Sequence, residues 1–334
     1  MSKARNRNYI VSLLKTIIAI LAVWYLFESD RITKESFIKL LNPNNLLFFT
    51  FSGMAFFCAQ MLATGRLLIL LRTIDLPLRF SYGFRLTMIG NFFNMVIPGM
   101  VGGDLVKGFY LFKDEQNSRG RSSSMIVMDR VLGMLALVFI GQISIIYLLN
   151  NNTAVINPYR KELYVVSVVV SLLFTLFALF LVLGRNRTIR RLLDRWLTAL
   201  LRRSIFYNMA TGLGDLVTKN RIIFHTFLLS LLIQIFSLAG LLMLSNLLSE
   251  ALPGLIAMAA VSSVVLLIGA VPVTPGNIGW TELIASFGWS AIGSNAGAEI
   301  FLYWRIVMII CSLPGGLLYL FMTRKNKQYS ESVK

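Results

Sequence analysis

The stretch Val271-Pro272-Val273-Thr274-Pro275-Gly276-Asn277-Ile278-Gly279-Trp280-Thr281-Glu282 decides how this chain folds. It interrupts an apolar region, about 253–293, that would otherwise read as helix. Proline removes a helical hydrogen bond and clashes with the preceding turn, and glycines beside it end the helix. A second stretch of the same kind, Ile97-Pro98-Gly99-Met100-Val101-Gly102-Gly103-Asp104, interrupts the apolar region 81–112. Each is read as the tip of a helical hairpin. In both, Pro-Gly-x-x-Gly (98–102 and 275–279) is followed by a carboxylate, Asp104 or Glu282. An arginine embedded in apolar sequence comes next: Arg130 lies 32 residues after Pro98, and Arg305 lies 30 after Pro275.

Around these breaks, uninterrupted apolar runs of roughly 20 residues recur, the length that crosses about 30 Å of hydrocarbon. They cover 9–27, 43–65, 122–149, 162–184, 222–248 and 298–322. Of the 334 residues 56% are hydrophobic and 14% charged, and mean hydropathy is +0.72. Soluble domains carry about 25% charged residues. The fold class is therefore all-α and polytopic, with about six full spans plus two Pro/Gly-broken hairpins in a single transmembrane domain, 1–334. Residues 81–97 would extend about 25 Å at ~1.5 Å per residue, so hairpins that cross fully and hairpins that stop midway both fit.

The net charge of +17 would suggest nucleic acid in a soluble protein. Here its placement sets orientation. With the N-terminus inside, the stretches 1–8, 66–85, 107–121, 185–221 and 324–334 hold 24 of the 32 Lys/Arg. The outer stretches 28–39 and 150–162 hold five, and 249–297 holds none. Basic residues accumulate on the cytoplasmic side, which puts both termini in the cytoplasm and the chain in the cytoplasmic (inner) membrane, with no nucleic-acid partner. A lone crossing at 81–97 would turn 107–121 and 185–221 outward, so 81–112 must enter and leave on the inner side, and 253–293 on the outer side. Lys3, Arg5 and Arg7 precede the first apolar run as in a signal peptide, but no small-residue cleavage site follows Phe27, and an uncleaved anchor is expected. Cys58 and Cys311 both lie in apolar runs and support no disulfide framework.

Each half, about 1–150 and 160–323, reads span, span, broken hairpin, span, the first starting inside and the second outside. That is the pattern of an inverted-topology repeat. Between the second half's first spans, 185–221 places Ile189, Leu192, Leu193, Trp196 and Leu200 at helical spacing among Arg190, Arg191, Arg195, Arg202 and Arg203. This basic cytoplasmic amphipathic segment suits a helix lying on anionic headgroups; a linker whose arginines only enforce topology fits equally.

Asp104, Asp129, Arg130, Glu282 and Arg305 all fall in or near the hydrocarbon. Unpaired at the bilayer centre they would cost on the order of 10–15 kcal/mol, so pairing or water contact is required. The expected pairs are Asp104 or Asp129 with Arg130, and Glu282 with Arg305. Two roles follow. The pairs can lock helices together, or they can belong to a polar cavity near the midplane where Arg130, Arg305 and Lys107 hold a phosphate headgroup beside the free N–H groups of the broken helices. Asn91 and Asn94, one turn before the first break, either line that cavity or satisfy broken backbone. One histidine, His225, and two separated cysteines assemble no usual zinc site, and no cofactor is called for. No G-x-x-x-x-G-K-[ST] or G-x-S-x-G motif is present, so no enzyme activity is expected.

Asn94-x-x-x-Pro98-Gly99-x-x-Gly102-Gly103-Asp104, then Asp129-Arg130, then Pro275-Gly276-Asn277-x-Gly279-x-x-Glu282 and the late Arg305 resemble the lysylphosphatidylglycerol synthase transmembrane family, also described as flippase-like membrane proteins. The resemblance covers nearly the whole chain and rests on the order and spacing of several short motifs. It implies a role in moving a lipid between leaflets, the cargo being an anionic or aminoacylated phospholipid or a polyprenyl-linked headgroup, with these residues and Lys107 forming the substrate site. Lys107 and Asp129 stand where arginine and glutamate are expected; charge is kept, but lysine lacks arginine's bidentate fork. No aminoacyl-transferase domain follows Met322, so synthesis of the aminoacyl lipid is not expected. The rival readings are a non-transporting membrane partner of a separate lipid-modifying enzyme or glycosyltransferase, and an intramembrane enzyme, for which a nucleophile or metal set is lacking.

Overall fold

The computed structural model describes residues 16–96, 102–114, 119–151, 219–248, 253–271 and 273–331, and, between 160 and 172, residues 160–161, 163–165, 167–169 and 171–172. Pro98 and Gly99 at the first tip, and the basic segment over 185–218, lie outside the described residues. Everything described is helix, turn or loop, without a strand. In order the helices are α1 (Thr16–Glu28), α2 (Lys34–Leu41), α3 (Leu46–Arg72), α4 (Phe80–Val96), α5 (Gly102–Asp114), α6 (Arg119–Asn150), α7 (Asn220–Met243), α8 (Leu255–Gly269), α9 (Trp280–Ser290) and α10 (Gly297–Glu331).

Four segments among the described residues are long and apolar enough to cross a membrane: Pro43–Arg72, Arg121–Asn150, Arg221–Leu247 and Gly297–Met322. The run expected at 9–27 is described only from Thr16, and that at 162–184 only in short helical pieces. The expected end of the second run at residue 65 is corrected. Arg66 begins no loop, because Leu67-Leu68-Ile69-Leu70-Leu71 continues the apolar sequence and α3 runs to Arg72. The elements flanking the breaks are shorter. Phe80–Val96 has 17 residues, Leu255–Gly269 has 15 and Trp280–Ser290 has 11. At ~1.5 Å per residue each falls short of about 30 Å.

The surface is inverted relative to a soluble protein. Large apolar side chains face outward along α3 (Leu46, Met54, Met61) and α10 (Ile310, Leu313, Leu317, Phe321), while Arg66, Lys107 and Glu282 are buried. The helices meet through small residues, as lipid-embedded helices do. α3 packs along α7, α4 against α10, and α6 against α8, while α4/α5 and α8/α9 form two hairpins. Ser52 donates to Gly240 O at 2.8 Å where α3 meets α7. A Cβ on Gly103 would run into the Gly90 backbone of α4, and one on Gly315 into Met88 O. Gly315 follows Pro314, whose missing N–H loosens α10 at that crossing.

Polar contacts at both ends of the bundle fix which segments lie together. Lys219 donates to Thr73 O at 3.0 Å, joining the end of α3 to the start of α7. At the other end Lys39 pairs with Glu299 at 3.1 Å, and Arg31 donates to Ser290 Oγ and Asn295 Oδ1 at 2.6 and 2.7 Å. Loops 28–39 and 290–299 therefore share one face of the bundle, and 73–79 and 219 the opposite one.

The crossings predict opposite effects for two glycines. Gly315→Leu forces a side chain into backbone and is expected to destabilise the protein by about 1–3 kcal/mol or more. Gly65→Ala, where a Cβ meets open space, is expected to stabilise it by up to ~1 kcal/mol through helix propensity. Thermal unfolding of the purified variants in detergent measures both.

Candidate functional site

The second break is a built structure. After α8, Val273 N–H donates to Val271 O at 2.9 Å and Pro275–Asn277 makes one 3-10 turn. Gly276, Asn277 and Gly279 have φ of 59°, 55° and 77°. Left-handed backbone is cheap for glycine and tolerable for asparagine, which accounts for the Gly-Asn-x-Gly order. The carbonyls that leave the helical ladder find side chains. Arg305 Nη1 donates to Gly276 O at 2.7 Å and Nη2 to Asn277 O at 2.8 Å. Thr274 Oγ1 donates to Ile278 O at 2.9 Å, and Asn277 Nδ2 donates to Gly269 O.

Arg305 also pairs with Glu282 in the first turn of α9, through Nε to Oε1 and through Nη2 to Oε2 at 3.1 Å. The Glu282 side chain is 3% exposed. Four of the five N–H donors of Arg305 are therefore engaged by protein. An arginine expected mainly to receive an anion is thus committed to holding the break.

The first break carries a matching pair. Arg130 on α6 binds Asp104, in the first turn of α5, through Nε at 2.8 Å and Nη2 at 3.2 Å. Asp104 is accordingly the partner of Arg130, of the two carboxylates the sequence allowed. Asp129 takes Arg66 of α3 instead, at 2.7 Å, and Arg66 Nη1 reaches Ser230 of α7 at 2.8 Å. This buried link among α3, α6 and α7 was hidden in the sequence because Arg66 was counted with the basic loop. The apolar residues that follow it are the signal that places it in a span. Asn94 serves the backbone: its Oδ1 accepts the Gly103 N–H at 2.9 Å.

These groups converge on a cavity of about 370 Å³. Of the residues singled out from sequence, Asn94, Lys107, Asp129, Arg130, Gly276, Asn277 and Arg305 line it. Asp104, Glu282, Gly102, Gly103, Pro275 and Gly279 do not; Asp104 and Glu282 hold Arg130 and Arg305, and Gly103 N–H holds Asn94. Arg66, Gln60, Thr87 and Asn91 join the polar wall, and Phe56, Phe301 and Trp304 supply an apolar one. Within the wall Asn91 Nδ2 donates to Gln60 Oε1 at 2.7 Å. The cavity lies where the second break approaches the end of α4: a Cβ on Gly276 would stand 3.1 Å from Met95 O. His225 sits apart, its Nδ1 against Arg221 O at the start of α7.

A bundle of long apolar helices around a buried, ion-pair-lined cavity defines a polytopic helical membrane protein with a polar interior site. The chain belongs to the family described as lysylphosphatidylglycerol synthase TM region, whose family model matches residues 12–315. No curated protein matches it.

Removing one partner of a buried pair leaves the other charge uncompensated, at about 3–5 kcal/mol. Glu282→Ala is expected to cost that much. Asp104→Ala should cost clearly less, because the Arg130 side chain is 37% exposed. The double variant Glu282→Met/Arg305→Met should lose less than the sum of its single changes. Thermal denaturation of wild type, these three variants and the single Glu282→Met and Arg305→Met proteins in detergent checks the order.

Proposed function

We propose that the chain moves a lipid headgroup between the leaflets of the cytoplasmic membrane through the cavity between its two breaks. The observation that carries this is a cavity with one wall of ion-paired and amide side chains and another of apolar ones, set among helices whose outer faces are apolar. A family named for a lipid synthase's membrane region supports a lipid as cargo. The cavity volume falls within the ~300–1,000 Å³ of small-molecule sites; it accommodates a headgroup while acyl chains stay in the bilayer.

The mechanism is alternating access between two inverted repeats. Exchanging α3 with α7, α4 with α8, α5 with α9 and α6 with α10 carries the α4–α10 packing into α8–α6, and the Asp104–Arg130 pair into Glu282–Arg305. The two hairpins are re-entrant, entering from opposite faces, and rocking one half against the other opens the cavity to each leaflet in turn. The face carrying 73–79 and 219 is cytoplasmic, since Arg72, Arg79, Arg85, Lys219 and Arg221 gather there. Both termini share that side.

Ala63 lines the cavity without making any of its ion pairs. In liposomes carrying fluorescent headgroup-labelled lipids, wild type is expected to expose inner-leaflet reporter to an external quencher well above the protein-free rate. Ala63→Trp should return that rate to background while unfolding at the wild-type temperature. Wild-type protein indistinguishable from empty liposomes overturns the proposal. Asp75→Cys should react with a membrane-impermeant thiol reagent only after cells are opened, and Asp30→Cys in intact cells; the reverse would refute the orientation.

A further inference from the structure

Resting on the proposed lipid site, the charge inventory of the cavity says which headgroups it takes. Lys107 of α5 is 9% exposed, lines the cavity, and has no hydrogen bond or ion pair among the described residues. Its charged neighbours are Asp104, Asp129, Arg130 and Arg66. Both carboxylates are already taken, Asp104 by Arg130 and Asp129 by Arg66. α4, packed against α5, contributes the uncharged Asn91 and Asn94 to the wall. The third pair, Glu282–Arg305, is neutral in itself. Among the described residues four cations therefore face three carboxylates, and the excess charge sits on Lys107.

The lysine is housed there by the backbone. Its stem passes over Gly90, where a Cβ would stand 2.5 Å from Lys107 Cε. Any side chain at position 90 would force the lysine stem to shift. Beside it, the Asn91–Gln60 hydrogen bond uses one donor and one acceptor, and either orientation of the two amides leaves an NH2 group for a ligand. A buried ammonium without a counter-ion is costly, and a bound anion removes that cost.

We infer that the cavity selects lipids whose phosphate-bearing headgroup carries one net negative charge, and discriminates against zwitterionic and cationic, aminoacylated headgroups, with Lys107 as the residue that sets the preference. A phosphodiester supplies the missing charge and acceptor oxygens for both the ammonium and the amide. A cationic headgroup would add a second uncompensated positive charge.

The test is equilibrium binding of short-chain lipids to the purified full chain in neutral detergent, followed by intrinsic tryptophan fluorescence, since Trp304 lines the cavity. The lipids are phosphatidylglycerol, phosphatidylcholine and lysyl-phosphatidylglycerol. Wild type is expected to bind phosphatidylglycerol about ten- to a hundredfold more tightly than the other two, the range of one hydrogen bond to a charged group. Lys107→Met should abolish the preference and Lys107→Arg should keep it. Lys107→Met removes an unpaired buried charge, so it should melt no lower than wild type, and a lower melting temperature would contradict the absence of a partner. Equal binding of the three lipids, tighter binding of the cationic one, or a preference that survives Lys107→Met overturns the inference and leaves lipid transport standing. Binding of none overturns both. Inorganic phosphate at millimolar concentration should leave the lipid bound; displacement would assign the site to a soluble anion and overturn the inference.

Discussion

A helix interrupted inside a membrane leaves carbonyls with no water to receive them, and here the Arg305 guanidinium receives two, Gly276 O and Asn277 O. Its charge must in turn be balanced, and Glu282 does that from the first turn of the helix that restarts after the break. One side chain on α10 thereby ties the irregular backbone, the hairpin helix α9 and a long spanning helix into a unit. Without it, an unsatisfied break and an unpaired carboxylate would each cost several kcal/mol in hydrocarbon. The cavity depends on this arrangement, because its wall on that side is the break itself.

The same solution recurs at Asp104–Arg130, with the carboxylate again in the first turn of the helix after the break and the arginine on the following long helix. The third pair, Arg66–Asp129, has no counterpart in the breaks. It joins α3 to α6 and, through Ser230, to α7. Any rocking of one half against the other must keep this link or exchange it, since parting buried charges in low dielectric is expensive. Pairing also explains how so many charged groups coexist in so apolar a chain: among the described residues Arg66, Arg130 and Arg305 are matched, and Lys107 beside two of the pairs is left over.

Long apolar runs and the interruption at Pro275-Gly276 were legible in the sequence. That Asn277 and the glycines at 276 and 279 take left-handed backbone emerges only from the structure, where such φ values favour glycine and tolerate asparagine. Pairing of Glu282 with Arg305 followed from matched spacing in the two halves. The boundary of α3 was misjudged because a charge inside a span looks, in one dimension, like the end of the span. The basic segment over 185–218 and the tip at Pro98-Gly99 fall outside the described residues.

By itself the sequence determined that the chain is helical, lies in a membrane, and breaks at Pro275-Gly276. Hydropathy, proline geometry and charge placement act along the chain and need no knowledge of neighbours. Only tertiary structure decided that Asp129 chooses Arg66, 63 residues earlier, over the adjacent Arg130, and that Lys107 has no partner among the described residues. Ion pairing depends on distance across helix interfaces, and those distances are set by how glycines such as Gly90, Gly103 and Gly315 let backbones approach. The break at Pro275-Gly276 is thus written in the sequence, while what it encloses is written in the packing.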